Sequence, residues 1–146
     1  MERFLLLALF GISMAHFEGV VVVYLRKALG IDHTRDNKEA VEKIPKEIIL
    51  IEQTREAATI VMLVTLALLV GTTWLDQIIV FLWTFAFWDL FYYVSLYVVI
   101  KWPPKLTTTD VLFLIPKPWI APVWFPVAVS SLTIIAIVVV KLMHLV

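Results

Sequence analysis

The sequence contains no cysteine, and this absence excludes several kinds of chemistry. Without thiols the chain has no disulfides, no thiolate metal ligands and no cysteine nucleophile. Charged residues are also scarce, at 16% of the chain, against about a quarter in an ordinary soluble domain. Twelve basic residues balance twelve acidic residues. A chain without a basic excess is a poor candidate for binding nucleic acid.

Common catalytic motifs are missing as well. The sequence has no Gly-rich phosphate loop, no HExxH pattern and no Gly-x-Ser-x-Gly nucleophile turn. Internal repeats and low-complexity segments are also absent. The chain of 146 residues has the length of one domain, so we expect residues 1–146 to fold as a single unit.

Hydrophobic residues dominate what is present. They make up 62% of the chain, mean hydropathy is +0.95, and they are concentrated in long runs. A helix needs about 20 apolar residues to cross a hydrocarbon core of about 30 Å. The runs long enough to do so are residues 4–25, 48–70, 78–100 and 123–140. The sequence therefore predicts an all-α membrane protein with four antiparallel transmembrane helices in a bundle, and the lipid bilayer as its first partner.

The segment before the fourth run has a different composition. Residues 101–118 combine several prolines with a polar Thr-Thr-Thr-Asp stretch and a short apolar stretch. That apolar stretch is too short to cross a bilayer. Thr109 or Asp110 can cap a helix. We therefore expect a short interfacial helix before the fourth span.

Lysine and arginine are distributed unequally between the two sides. In a four-span topology the loops 26–47 and 101–118 share one side, and together they carry nine of these residues. The opposite side carries two, Arg3 and Lys141. The positive-inside rule then predicts that both loops are cytoplasmic and that both termini lie outside, with the protein in the cytoplasmic (inner) membrane.

Ionisable side chains occur inside the predicted spans. Each one costs roughly 2.5–3.5 kcal/mol at the bilayer centre and is therefore a functional candidate. They are His16, Glu18, Glu52, Arg55, Glu56 and Asp89. In the predicted topology, acids on three helices come to similar depths in the cytoplasmic half of the bundle.

Helical spacing groups these side chains further. Glu52, Arg55 and Glu56 follow the i, i+3, i+4 spacing and form one polar stripe. Tyr92 and Tyr93 lie one turn beyond Asp89 on its face of the third helix. Asp110 is placed to close the site from the interfacial segment. We treat these neighbours as supporting residues.

The leading hypothesis is a buried carboxylate–histidine site that binds a cation or relays protons. His16, Glu18, Glu56 and Asp89 are its candidate metal ligands, and the candidate metals are iron, manganese, copper or zinc. Carboxylates from several helices hold dinuclear metal centres in other bundles, but the Glu-x-x-His pattern of those sites does not occur here. His16 and Glu18 also point about 200° apart around their helix.

A second hypothesis comes from a different class of function. The chain is then an accessory subunit of a larger membrane complex, or part of a homo-oligomer, and Arg55 pairs with the acids only to stabilise the fold. The two hypotheses differ in whether the acids converge on one centre or pair off separately.

Overall fold

The computed structural model describes residues 2–30 and 44–143. The central part of the charged loop 26–47, residues 31–43, lies outside the described residues. Four long helices are present in the described ranges, and each is long and apolar enough to cross a membrane. They are α1 (Glu2–Ala28), α2 (Lys46–Val70), α3 (Trp74–Ile100) and α4 (Trp124–Leu142).

The helix boundaries follow from local backbone chemistry. Gly30, two residues beyond α1, has φ +63°, a left-handed conformation that glycine adopts at little cost. Pro45 precedes the first residue of α2. The side chain of Thr73 accepts a hydrogen bond from the Asp76 amide at 3.2 Å and so caps α3. Beyond α3, Pro103 and Pro104 prevent the helix from continuing.

Helices α1 and α3 form the most closely packed pair, and small residues of α1 make the approach possible. A Cβ atom added to Gly11 would lie 2.8 Å from the Thr84 carbonyl oxygen. One added to Gly19 would lie 2.8 Å from Ser95 Oγ. Ala15, midway between the two glycines, is fully buried. Small residues at every fourth position let two helix backbones come together, as the sequence suggests for this face of α1.

The contacts at the helix ends show which ends lie together. Arg3, at the start of α1, donates to Asp76 at the start of α3 with two bonds of 2.7 and 2.8 Å. It also donates to the carbonyl of Val70, the last residue of α2, at 3.4 Å. Lys141, near the end of α4, lies 5.3 Å from the Phe4 ring centroid. We call this group, Arg3 with Val70 and Asp76, the Arg3 end.

The segment before α4 is not helical. A two-stranded antiparallel hairpin replaces the expected interfacial helix, with strands β1 (Thr109–Phe113) and β2 (Trp119–Pro122). The prediction of a helix here was therefore wrong. Pro116 and Pro118 lack amide hydrogens, so a helix begun at Thr109 would have to stop after less than two turns. Pairing the strands satisfies more backbone groups than a helix of that length, since its end groups would lack partners.

The hairpin packs against the helices. Phe113 packs against the buried cluster of Ala15, Leu63 and Trp88, which lies about half-way along α3. Its ring also stacks on Phe85, with centroids 6.2 Å apart. Backbone amides that pack against the bundle need hydrogen-bond partners. A carboxylate on α2 accepts hydrogen bonds from two of them.

Candidate functional site

A cavity of about 140 Å³ lies between α1, α2, α3 and the hairpin. Charged side chains line it, and several of them are almost completely buried. Its carboxylates and arginines are Glu18, Glu52, Glu56, Asp89, Asp110, Arg26 and Arg55. Among the described residues, five carboxylates therefore face two guanidinium groups. We call this region the cavity end of the molecule.

Glu18 is held by donors from two other helices. Its residue is only 8% exposed. Arg55 of α2 donates to Glu18 Oε1, and Trp88 Nε1 of α3 donates to Oε2 at 2.7 Å. The same arginine donates through Nε to Glu52 at 2.9 Å. One guanidinium thus bridges two carboxylates, and this triad carries a net formal charge of −1.

Glu56 accepts hydrogen bonds from backbone amides of the hairpin. Its two carboxylate oxygens accept hydrogen bonds from the amides of Leu114 at 2.7 Å and Ile115 at 3.1 Å. One turn earlier on α2, Gln53 Nε2 donates to the carbonyl of Leu114 at 3.1 Å. These three bonds attach the end of β1 to α2. The carboxylate of Glu56 therefore has a structural task that its place in the sequence does not reveal.

Among the described residues, Glu52 and Asp89 each have one hydrogen-bond partner, which is the charged Arg55 for Glu52 and an uncharged hydroxyl for Asp89. Asp89 Oδ2 accepts a hydrogen bond of 2.6 Å from the hydroxyl of Ser130 on α4. Within residues 2–30 and 44–143, Asp89 Oδ1 has no hydrogen-bond donor. Tyr92 and Tyr93 line the cavity beside it, as their spacing predicts. Asp89 thus combines a position at the cavity with an oxygen that can take a further donor.

Arg26 is the functional candidate that the sequence prediction missed. It was counted among the basic residues of a cytoplasmic loop, but it is only 6% exposed. Its guanidinium lies 3.7 Å from Asp110 Oδ1 and 4.2 Å from the ring centroid of Trp102, which is fully buried. Arg26 follows Glu18 by eight residues, so both lie on one face of α1, and that spacing was the available signal.

His16 lies apart from the acids. Its Nδ1 is 2.9 Å from Ser95 Oγ on α3, and the residue as a whole is exposed. Glu18 meanwhile faces the cavity. This separation agrees with the angle of about 200° between positions two residues apart on a helix.

The structure thus brings some of the predicted site residues together. Glu18, Glu56 and Asp89 line one cavity, with the supporting residues Glu52, Arg55, Tyr92, Tyr93 and Asp110. His16 is not among them. In the part of the chain that the structure describes, no group of three or more His, Asp or Glu side chains is arranged to hold a metal ion. The acids therefore both converge on one space and have separate hydrogen-bond partners.

Comparison of the chain with models of known protein families, with curated proteins and with solved structures finds no match. Any function must therefore be argued from the site itself.

Proposed function

We propose that this chain is an integral membrane protein whose buried cavity binds a cation. The observation that carries the proposal is the charge of the cavity lining. Among the residues that the structure describes, five carboxylates face two arginines, and Glu18 and Glu56 are less than 9% exposed. Buried charge is costly unless an opposite charge or strong hydrogen bonds accompany it. A bound cation or a titrating proton compensates such an excess of acids.

Asp89 is the centre of the proposed site. Arg55 already serves Glu18 and Glu52, and two backbone amides serve Glu56. Asp89 lines the cavity and accepts a single hydrogen bond, from the hydroxyl of Ser130. An ionisable residue inside a spanning helix, at a polar cavity, is where ion and proton sites of membrane proteins occur.

The hairpin supports a membrane location for the cavity. Non-helical backbone is tolerated at membrane depth only where protein surrounds it or where it lines a cavity. The second condition applies to β1, which lines the cavity and whose end is attached to Glu56 and Gln53. We further propose that the helices cross the bilayer in alternating directions as an antiparallel bundle. The cavity end then faces the cytoplasm, since Arg26 and Ile44, in the described parts of the basic loop 26–47, line the cavity.

A structural role is the second candidate. It is favoured by the bonds of Glu18 and Glu56, because each carboxylate has two donors within the chain. In that case the chain is an accessory subunit of a membrane complex, and the cavity acids only stabilise its fold. The two candidates differ in whether any cation is bound specifically.

Binding measurements on the protein purified in mild detergent test the proposal. The panel contains alkali cations, divalent manganese, iron and zinc, and small organic cations. Thermal melts detect binding, because a ligand at 100 times its Kd stabilises the folded state by about 2.7 kcal/mol. Elemental analysis of the same sample determines whether iron, manganese, copper or zinc is already present.

Two isosteric variants make the test specific. Asp89→Asn removes a charge from the cavity, whereas Asp76→Asn makes the same change at the Arg3 end. We expect a cation to stabilise the wild type and Asp76→Asn but not Asp89→Asn. If no cation in the panel binds and the protein contains no metal, the cation site is excluded and the structural role is favoured.

A further inference from the structure

The walls of the cavity indicate which kind of cation it takes. We propose that the ligand is an organic ammonium group, held by Asp89 and by the faces of aromatic side chains. This inference rests on the cation site proposed above and names its chemical class. It depends on three properties of the cavity: its aromatic lining, the number of oxygens available to a ligand, and its size.

Four aromatic residues line the cavity: Trp88, Tyr92, Tyr93 and Phe113. The rings of Tyr92 and Tyr93 lie 5.2 Å apart at an angle of 77°, so that they form a corner. The indole of Trp88 is fixed in orientation by its hydrogen bond to Glu18. Aromatic faces attract ammonium groups through the ring quadrupole, and cages of such rings are the usual recognition site for methylated ammonium.

An aromatic ring at this end of the molecule already holds a cation. The guanidinium of Arg26 lies 4.2 Å from the centroid of the Trp102 ring. Trp102 in turn stacks on Tyr93, with ring centroids 6.3 Å apart. Tyr93, which lines the cavity, is therefore stacked on a ring that already contacts a cation of the protein itself.

The oxygen inventory disfavours a bare metal ion. Calcium takes six to eight oxygen ligands, and a structural zinc site has four protein ligands. Glu18 and Glu56 use both carboxylate oxygens in bonds within the chain, and Glu52 is paired with Arg55. An ammonium group needs fewer oxygen ligands, because one carboxylate oxygen and several aromatic ring faces are enough to bind it. Asp89 Oδ1 and the neighbouring tyrosine rings supply this combination.

The size of the cavity is also suitable. Its volume of about 140 Å³ holds several water molecules, each of which takes about 30 Å³ in the liquid. A methylated or primary ammonium head fits such a space. A soluble amine and the head group of a zwitterionic lipid present the same chemistry, and the experiment distinguishes these sources.

The test compares soluble cations at equal ionic strength on the detergent-purified protein. We expect tetramethylammonium or methylammonium chloride to raise the melting temperature at concentrations at least tenfold below those needed with sodium or potassium. Vesicles that contain phosphatidylcholine or phosphatidylethanolamine, compared with phosphatidylglycerol vesicles, provide the lipid arm. Stabilisation by those zwitterionic lipids, together with competition by tetramethylammonium, would identify a head group as the source.

Variants of Tyr92 separate the ring from its hydroxyl. Tyr92→Leu should weaken ammonium binding about tenfold, whereas Tyr92→Phe should retain it, because only the ring face is needed. Tyr24→Leu serves as the control, since Tyr24 is 70% exposed on the outer side of α1. The melting temperature of each variant without ligand reports whether it is folded.

The possible outcomes separate the inference from the proposal beneath it. If alkali or divalent cations bind as tightly as ammonium and Tyr92→Leu has no effect, the ammonium inference is wrong but the cation site stands. If no cation binds to any folded variant, the cation site itself is wrong. Preference for ammonium, lost in Tyr92→Leu and kept in Tyr92→Phe, supports both.

Discussion

In the described part of the chain, one arginine meets one aspartate at the Arg3 end, whereas five carboxylates share a space with two arginines at the cavity end. The Arg3–Asp76 pair is bidentate, and Thr72 donates to the same carboxylate through its amide and its hydroxyl. The Arg3 end therefore shows how this fold uses a closely paired charge to join helices.

The cavity end departs from that arrangement in two ways. Its acids outnumber the basic groups among the described residues, and they surround a space instead of closing on one another. Buried ion pairs can often be replaced by well-packed apolar side chains with little loss of stability. The difference between the ends is therefore the main reason to expect a ligand at one of them. Substitutions at each end can test this comparison.

The largest effect is expected from Arg55→Met. This change leaves Glu18 and Glu52 without their shared cation, and removing one partner of a buried ion pair typically costs about 3–5 kcal/mol. The Arg55 side chain keeps 26% exposure, so we expect the lower part of that range. The fall in melting temperature in mild detergent measures the loss.

A double variant identifies the cause of that loss. Arg55→Met combined with Glu18→Gln should be more stable than Arg55→Met alone, because the uncompensated charge is then removed. A single variant as stable as the wild type would mean that the triad contributes little. The charges of the cavity end would then need another explanation.

The next effect concerns the attachment of the hairpin. Glu56→Gln replaces one accepting oxygen by an amide group that points hydrogen atoms at a backbone N–H. Hydrogen bonds to charged groups contribute about 1.5–3 kcal/mol, so we expect a loss of this order. Glu47→Gln, an exposed position on the same helix, is the matched control and should have no effect.

The result also decides the role of Glu56. A clear fall in melting temperature with cation binding unchanged would make it a structural residue. Unchanged stability with loss of binding would instead place it among the ligands of the cavity, as the sequence hypothesis has it.

A smaller effect is expected at the Arg3 end. Asp76→Asn weakens a bidentate pair whose arginine side chain is 36% exposed. Partly exposed ion pairs contribute about 1 kcal/mol or less, and salt screens them. The melting temperature should therefore fall slightly in low salt and approach that of the wild type in high salt. A loss that is independent of salt would indicate that the hydrogen bonds from Thr72 to Asp76, not the ion pair, are the important contribution.

The sequence predicted the helices well because hydrophobic run length is a strong local signal. Four helices long enough to span a membrane are confirmed, and the polar stripe of Glu52, Arg55 and Glu56 does face the cavity. The close face of α1 also has a local signal, since Gly11 and Ala15 are small residues four positions apart. Each of these features depends on residues that are near one another in the chain.

The features that the sequence did not predict depend on distant partners. The sequence predicted a helix where residues 109–113 and 119–122 form a hairpin. The hairpin is favoured by contacts with distant residues, among them the hydrogen bonds that Glu56 accepts from two of its backbone amides. Arg26 was assigned to a loop because no residue near it in the sequence indicates its contacts with Trp102 and Asp110. The bond from Ser130 to Asp89 joins two helices and has no local signature.

The smallest effect, and the most informative one, is expected from Asp89→Asn in the absence of ligand. The change has the same shape as Asp76→Asn, but the surroundings differ. Asparagine still accepts the hydrogen bond from Ser130, and one negative charge leaves a cavity in which acids are in excess. The melting temperature should therefore stay within the equivalent of about 0.5 kcal/mol of the wild type or rise, as is common where a site keeps unfavourable charge for its function.

Ser130→Ala, which removes the donor to Asp89 and keeps the charge, should instead lower the melting temperature by the equivalent of about 1 kcal/mol. Thermal melts of the three variants side by side, in one buffer and one detergent, give the comparison. If Asp89→Asn destabilises the protein as much as Asp76→Asn does, the aspartate at the cavity is as well compensated as the one at the Arg3 end. The excess of acids would then create no demand for a ligand, and the structural role would be the better account of the whole cluster.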